Sequence, residues 1–225
     1  MNTSAKTYIA AVILTGAAVT AFALAHWRSD SAARFSVFLL LFIAAAMLKC
    51  KIPGVTGTYS PVFFFSLLAS ASLSFSEVVV VSAIGGMVQC IFLARQRVSA
   101  VQVCFNGANM LLSSAAAYVF VERQVAGLTT QPLLIGLILG ASAFYIVNTA
   151  LVATVITLVE RGSIAEIWKH WCLGSMPYYL AGAVIACGTI SAAAPVTTVV
   201  ALLVAPPILL ATAYFRMGQQ TAASR

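Results

Sequence analysis

The sequence predicts an all-α fold: a polytopic transmembrane bundle of about eight helices with both termini cytoplasmic. Three observations carry that expectation. Only 8% of the 225 residues are charged and 62% are hydrophobic, whereas a soluble domain carries about 25% charged residues. The hydrophobic residues gather in runs close to the ~20 that a spanning helix needs. The twelve basic residues, which bring the net charge to +7, lie singly or in pairs between those runs. There they act as topology signals and attract headgroups. The expected partner is therefore the lipid bilayer, and no nucleic acid is expected.

Eight runs cover roughly 7–26, 32–49, 59–76, 77–95, 98–121, 131–159, 173–192 and 196–215. Each is a helix, because lipid offers an open backbone no hydrogen bonds. With the N-terminus inside, Lys6, Lys49, Lys51, Arg95, Arg97, Arg161, Lys169, Arg216 and Arg225 are cytoplasmic, and only Arg28, Arg34 and Arg123 face outward. That bias satisfies the positive-inside rule.

The first run ends in Ala23-Leu24-Ala25 and could be a cleaved signal peptide. Its length favours an uncleaved helix, and cleavage would leave seven spans. The second run is short, from Phe35 to Leu48, and Arg34 and Lys49 can snorkel at its ends. Glu77 falls at the outer turn between the third and fourth runs. The sixth run, Pro132 to Val159, is long enough to tilt or project, and Gly136 and Gly140 in it permit close helix contact. Pro206 and Pro207 predict a kink in the last run.

Between the sixth and seventh runs, "ERGSIAEIWKHW" pairs Ser163 with Glu166 at capping-box spacing. Ile164, Ile167, Trp168 and Trp171 then share one face, giving a short amphipathic helix over about 163–171 in the cytoplasmic interface. It is either an anchor or, through Trp168 and Trp171, a coupling element to a partner. A short tail, 216–225, completes one domain over 1–225.

Enzyme chemistry is not expected. No charged residue lies deep in a run, and no HExxH, GxSxG or Walker pattern occurs. The five cysteines, Cys50, Cys90, Cys104, Cys172 and Cys187, form no CxxC, and His26 and His170 sit at run ends. No metal site, disulfide framework or cofactor is expected.

The most specific polar feature is on the fifth run. Gln102, Asn106, Asn109 and Ser113 follow the i, i+4, i+7, i+11 spacing of one helical stripe. Gln89 on the fourth run should meet its cytoplasmic end. Asn148 on the sixth run falls at the depth of Asn109, with Tyr145 one turn away. Amides are costly against lipid, so the stripe must face protein or trapped water. It either binds helices together or lines a cavity for a neutral, hydrogen-bonding solute. "CFNGANML…VFVERQ" and "YIVNTALV…TLVERG" add a faint echo of an inverted repeat.

A second polar segment, "LKCKIPGVTGTYSP" at 48–61, interrupts the apolar runs. Pro53 stops a helix, and Gly54 and Gly57 allow a turn. This is a charged interfacial turn, or a site in which Lys49, Lys51, Gly54, Gly57 and Thr58 hold an anion or lipid headgroup.

Taken together, "KIPGVTGTYSPVFFF", "SEVVVVSAIGGMVQC" and "VQVCFNGANMLL" resemble the N-terminal integral-membrane module of bacterial signalling proteins whose GGDEF or HD-GYP output domains make or degrade cyclic di-GMP. The likeness covers roughly residues 35–185, and "YIVNTALVATVITLVERGS" and "MPYYLAGA" fit more loosely. No output domain follows. The resemblance therefore implies a sensory or scaffold module acting alone or on a separate partner, and it carries over no ligand. The leading expectation is a stand-alone sensory module in the bacterial inner membrane that binds a small neutral or lipidic ligand and acts as a homo-oligomer or on a separate cytoplasmic signalling protein. The alternatives are a small neutral-solute transporter, the substrate-binding membrane subunit of an importer, and a structural membrane scaffold.

Overall fold

The computed structural model describes residues 3–48, 61–92, 94, 97–125, 132–160, 162–171 and 175–192. Among these residues every regular element is helical. They are α1 (Thr3–Ala25), α2 (Ala32–Met47), α3 (Val62–Ser72), α4 (Phe75–Ile91), α5 (Ala100–Val125), α6 (Leu133–Glu160), α7 (Ile164–Trp171) and α8 (Met176–Ser191). Seven of the expected runs thus contain a helix, and α7 is the amphipathic segment. The expected eighth run, 196–215, lies outside the described residues, as do Lys49, Lys51, Gly54, Gly57 and Thr58.

Three helices are long and apolar enough to cross a membrane: α1, α5 over Ala100–Arg123, and α6. Their outward faces carry large apolar side chains, among them Leu14, Val119, Leu139 and Ile146. The hydroxyls on α1 find partners within the helix: Thr7, Thr15 and Thr20 each donate to the carbonyl four residues earlier.

The fold is organised around α3 and α5. Nine of the eleven residues of α3, Val62 to Ser70, are buried. Around it stand α2, α4, α5, α6 and α8, while α5 also packs on α1. At ~1.5 Å per residue α3 is about 16 Å long, roughly half the hydrocarbon thickness of a bilayer. It begins opposite the middle of α4, where Val62 and Phe42 flank Gly85. Its two serines are satisfied inside the core. Ser66 and Ser70 donate to the carbonyls of Val62 and Ser66, and Ser114 of α5 donates to Ser66 Oγ at 3.2 Å.

The turn between α3 and α4 is fixed by a capping box. The Glu77 amide donates to Ser74 Oγ, and Glu77 Oε2 accepts the Ser74 N–H at 3.0 Å. Glu77 does more than cap. It is 2% exposed, and its other oxygen accepts the Ser29 hydroxyl at 2.6 Å. The Ser74 hydroxyl donates to Arg28 C=O, Ser76 to His26 C=O, and the Arg34 guanidinium to Ser72 C=O. The link between α1 and α2 is thereby stitched onto the start of α4. The expectation that Glu77 lies at a turn holds, but it is buried there under the neighbouring connection.

Glycines set the closest helix approaches. A Cβ on Gly86 of α4 would sit 2.6 Å from the Asn106 carbonyl oxygen and 2.7 Å from Met110 Cβ. Gly140 of the expected GxxxG pair meets Val121 and the Ala117 carbonyl of α5. Gly188 of α8, by contrast, has open space. Gly86→Ala should therefore destabilise the bundle by about 1–3 kcal/mol through forced separation of α4 and α5. Gly188→Ala should be neutral or stabilising by up to about 1 kcal/mol through helix propensity. Thermal unfolding of the two variants in the same detergent measures the contrast.

Candidate functional site

The candidate site lies where α5, α6 and α8 meet beneath the first turn of α3. On α5, Asn109 is 4% exposed. Its Nδ2 donates to Asn148 Oδ1 of α6 at 2.6 Å. Asn148 Nδ2 in turn donates to the Tyr179 hydroxyl of α8 at 3.2 Å. Three helices are thus joined by one relay of uncharged groups. The helices bring it together because α5 and α6 are antiparallel neighbours, with Gly140 against Ala117 and Val121 further along the same contact.

Aromatic rings pack against the relay. Tyr179 lies 4.4 Å from Phe63 of α3 and 5.2 Å from Tyr145 of α6, centroid to centroid. Phe63 also meets Phe144 at 5.0 Å. Gly182 of α8 gives Phe63 its place, since a Cβ there would approach the ring to 2.7 Å. Tyr145 extends the cluster to Trp168 of α7, at 6.2 Å.

Trp168 links the site to the amphipathic helix. Its indole N–H donates to Thr149 Oγ1 at 3.1 Å, and Thr149 donates to the Tyr145 carbonyl at 2.6 Å. Ile167 and Trp168 pack on Ala153 and Ile156 of α6. Thus α7 folds back along the end of α6 and reaches Thr149, eleven positions before Glu160. It starts where expected, directly after Ser163, whose carbonyl accepts the Ile167 N–H.

The expected stripe on α5 does not act as one surface. Asn109 enters the relay, and Ser113 is buried with its hydroxyl on the Asn109 carbonyl at 2.8 Å. Asn106 turns towards α4 and donates to Cys90 Sγ at 3.3 Å and to the Gln102 carbonyl. Gln102 is exposed and caps the start of α5: its Oε1 accepts the Ser99 N–H, and Ser99 Oγ accepts the Gln102 N–H. Gln89 is half-buried on α4, and it is its neighbour Cys90 that meets Asn106. Among the candidates, Asn109, Asn148, Tyr145 and Trp168 come together; Gln89, Gln102 and Asn106 stand apart. The side chain of Trp171 lies outside the described residues.

Four residues of the cluster were not foreseen: Phe63, Phe144, Tyr179 and Thr149. Phe63 sits in an apolar run like any core residue. Tyr179 belongs to a Tyr-Tyr pair near a run end, a pattern that usually marks a membrane interface. Thr149 carried one signal, a hydroxyl directly next to Asn148 within the sixth run.

Asn109 keeps an unmatched atom. Its Oδ1 is buried without a hydrogen-bond partner among the described residues. Turning both amides over preserves the link to Asn148 but leaves Asn109 Nδ2 unmatched instead. A buried amide atom left unpaired costs about 1–3 kcal/mol. Among the described residues, no group of three or more His, Cys, Asp or Glu could hold a metal ion.

The chain matches no protein-family model, and neither the curated proteins nor the solved structures contain a match to it.

The relay itself makes a stability prediction. Asn109→Leu and Asn148→Leu should each destabilise the bundle, but the double variant should lose less than the sum. The expected coupling is about 0.6 kcal/mol, within a ceiling near 1.7 kcal/mol. A double-mutant cycle read by thermal unfolding in detergent checks it; additive losses would show that the two amides are independent.

Proposed function

We propose that this chain is a sensory module of the bacterial inner membrane, with both termini cytoplasmic. It binds a small ligand at Asn109, Asn148 and Tyr179 and reports occupancy through α7. One observation carries this reading: the continuous path from the buried Asn109 amide through Asn148, Tyr179 and Tyr145 to Trp168. A ligand that hydrogen-bonds to the unmatched side of the Asn109 amide changes the seating of Tyr179 and Tyr145. Trp168 then trades its contact with Tyr145, and α7 shifts on α6. The ring contacts are worth about 0.5–1.5 kcal/mol each, enough to bias a two-state element without locking it.

The apolar outer faces and the three long helices support the membrane setting. The nine cytoplasmic basic residues of the sequence support the orientation, which places α7 where a cytoplasmic signalling protein or a second copy can touch it. The resemblance to modules that precede cyclic di-GMP output domains supports the sensory reading. The segment of Lys49, Lys51, Gly54, Gly57 and Thr58 remains the proposed contact to an anion or lipid headgroup.

A carrier is the second reading, and α3 is the observation that favours it. A half-length helix buried at the bundle centre resembles the interrupted helices at transporter binding sites. Solute uptake into proteoliposomes that is lost in Asn109→Leu would favour the carrier, or an importer's binding subunit, over the sensor.

The sensory reading predicts that Trp168→Ala abolishes the response of a co-purified partner while ligand affinity changes less than threefold. Trp168→Phe, which keeps a ring on Tyr145 but loses the bond to Thr149, should retain part of the response. Pull-down of the partner with and without a retained ligand measures both. An unchanged response in Trp168→Ala would remove α7 from the pathway.

A further inference from the structure

We infer that the ligand of this site is an uncharged, planar aromatic molecule with an amide-like hydrogen-bonding group. The inference rests on the ligand-binding reading above and narrows it. The polar half follows from Asn109. Its buried amide offers an unmatched acceptor, or after a paired turn of both amides an unmatched donor, at the same place. A group with both a donor and an acceptor complements either arrangement; a purely donating or purely accepting group complements only one.

The aromatic half follows from the walls. Phe63, Phe144, Tyr145 and Tyr179 hold one another edge to face or tilted, at 4.4 to 6.0 Å. These rings are already in contact, so a ligand enters by replacing a ring–ring contact with a ring–ligand contact. A planar π system restores the quadrupole contact that it displaces. A saturated ring of the same size does not. The exclusion of charge follows from the relay. Its hydrogen-bonding members, Asn109, Asn148, Tyr179, Thr149 and Trp168, are all uncharged. An ion placed among them would find no counter-charge in the relay itself, in a poorly solvated interior.

The full chain in lipid nanodiscs tests this with four small probes of matched size: benzamide, cyclohexanecarboxamide, benzyltrimethylammonium and benzoate. Ligand-observed NMR, with empty nanodiscs subtracted, gives each dissociation constant. Benzamide should saturate a site at least tenfold tighter than the other three. Asn109→Leu and the smaller change Asn109→Ala should each weaken benzamide at least tenfold, while Gly188→Ala leaves it unchanged. The wild-type comparison stands even if an Asn109 variant fails to fold. Equal binding of cyclohexanecarboxamide overturns the aromatic requirement. Tighter binding of the ammonium or benzoate overturns the uncharged one. No saturable binding of any probe overturns the inference altogether. Benzamide binding without a partner response would sink the sensory reading and leave the ligand class standing.

Discussion

The hydrogen bond from Asn109 to Asn148, 2.6 Å long and part-buried, is the contact around which the bundle's interior is arranged. An amide that leaves water must find a partner, and an apolar bundle supplies few. Two amides on neighbouring helices solve the problem for each other and fix the rotation of α5 against α6. With that rotation set, Ser114 faces Ser66 of α3, and Ala117 and Val121 face Gly140. The bond itself is modest in energy. Its influence is geometric, because turning either helix away from this rotation breaks the bond between the two amides.

The same bond leaves something over. Asn109 spends one side of its amide on Asn148 and keeps the other unmatched. A structure that needed only to hold helices together could use serine, as α3 and α5 do at Ser66 and Ser114. Through Asn148 the excess polarity is joined to Tyr179, which packs with Phe63 and Tyr145, and Tyr145 in turn meets Trp168 of the amphipathic helix. That conjunction distinguishes this cluster from the capping group at Glu77, whose two carboxylate oxygens are both engaged in joining the α1–α2 link to α4.

Helix length shapes the rest. Both α5 and α6 are long enough to run the full height of the bundle, and α1 flanks them. The short α3 fills the centre for only part of that height. A buried half-helix brings Phe63 to the level of Tyr179 and lets Gly182 close on it. The fold-back of α7 then brings Trp168 up to Thr149 from the other side. The site is thus bounded by two short helices of different standing: α3 is buried at the bundle centre, whereas α7 packs on α6.

The helical class, the approximate limits of seven helices and the amphipathic nature of α7 were legible in the sequence, because apolar run length and charge placement report directly on what each segment must face. Depth was legible too: Asn109 and Asn148 were matched by counting residues along two helices. The stripe on α5 was not resolved, for a geometric reason. Residues 102, 106, 109 and 113 share a face within about a sixth of a turn, yet two helices, α4 and α6, flank that face. Asn106 went to Cys90 of one and Asn109 to Asn148 of the other, while Gln102, at the exposed end, turned back to cap its own helix. Periodicity tells which residues lie together on one helix; it carries nothing about which neighbour each one meets. Only the packing of α8 and α7 on α6 could decide that Tyr179 and Trp168 belong to the same cluster.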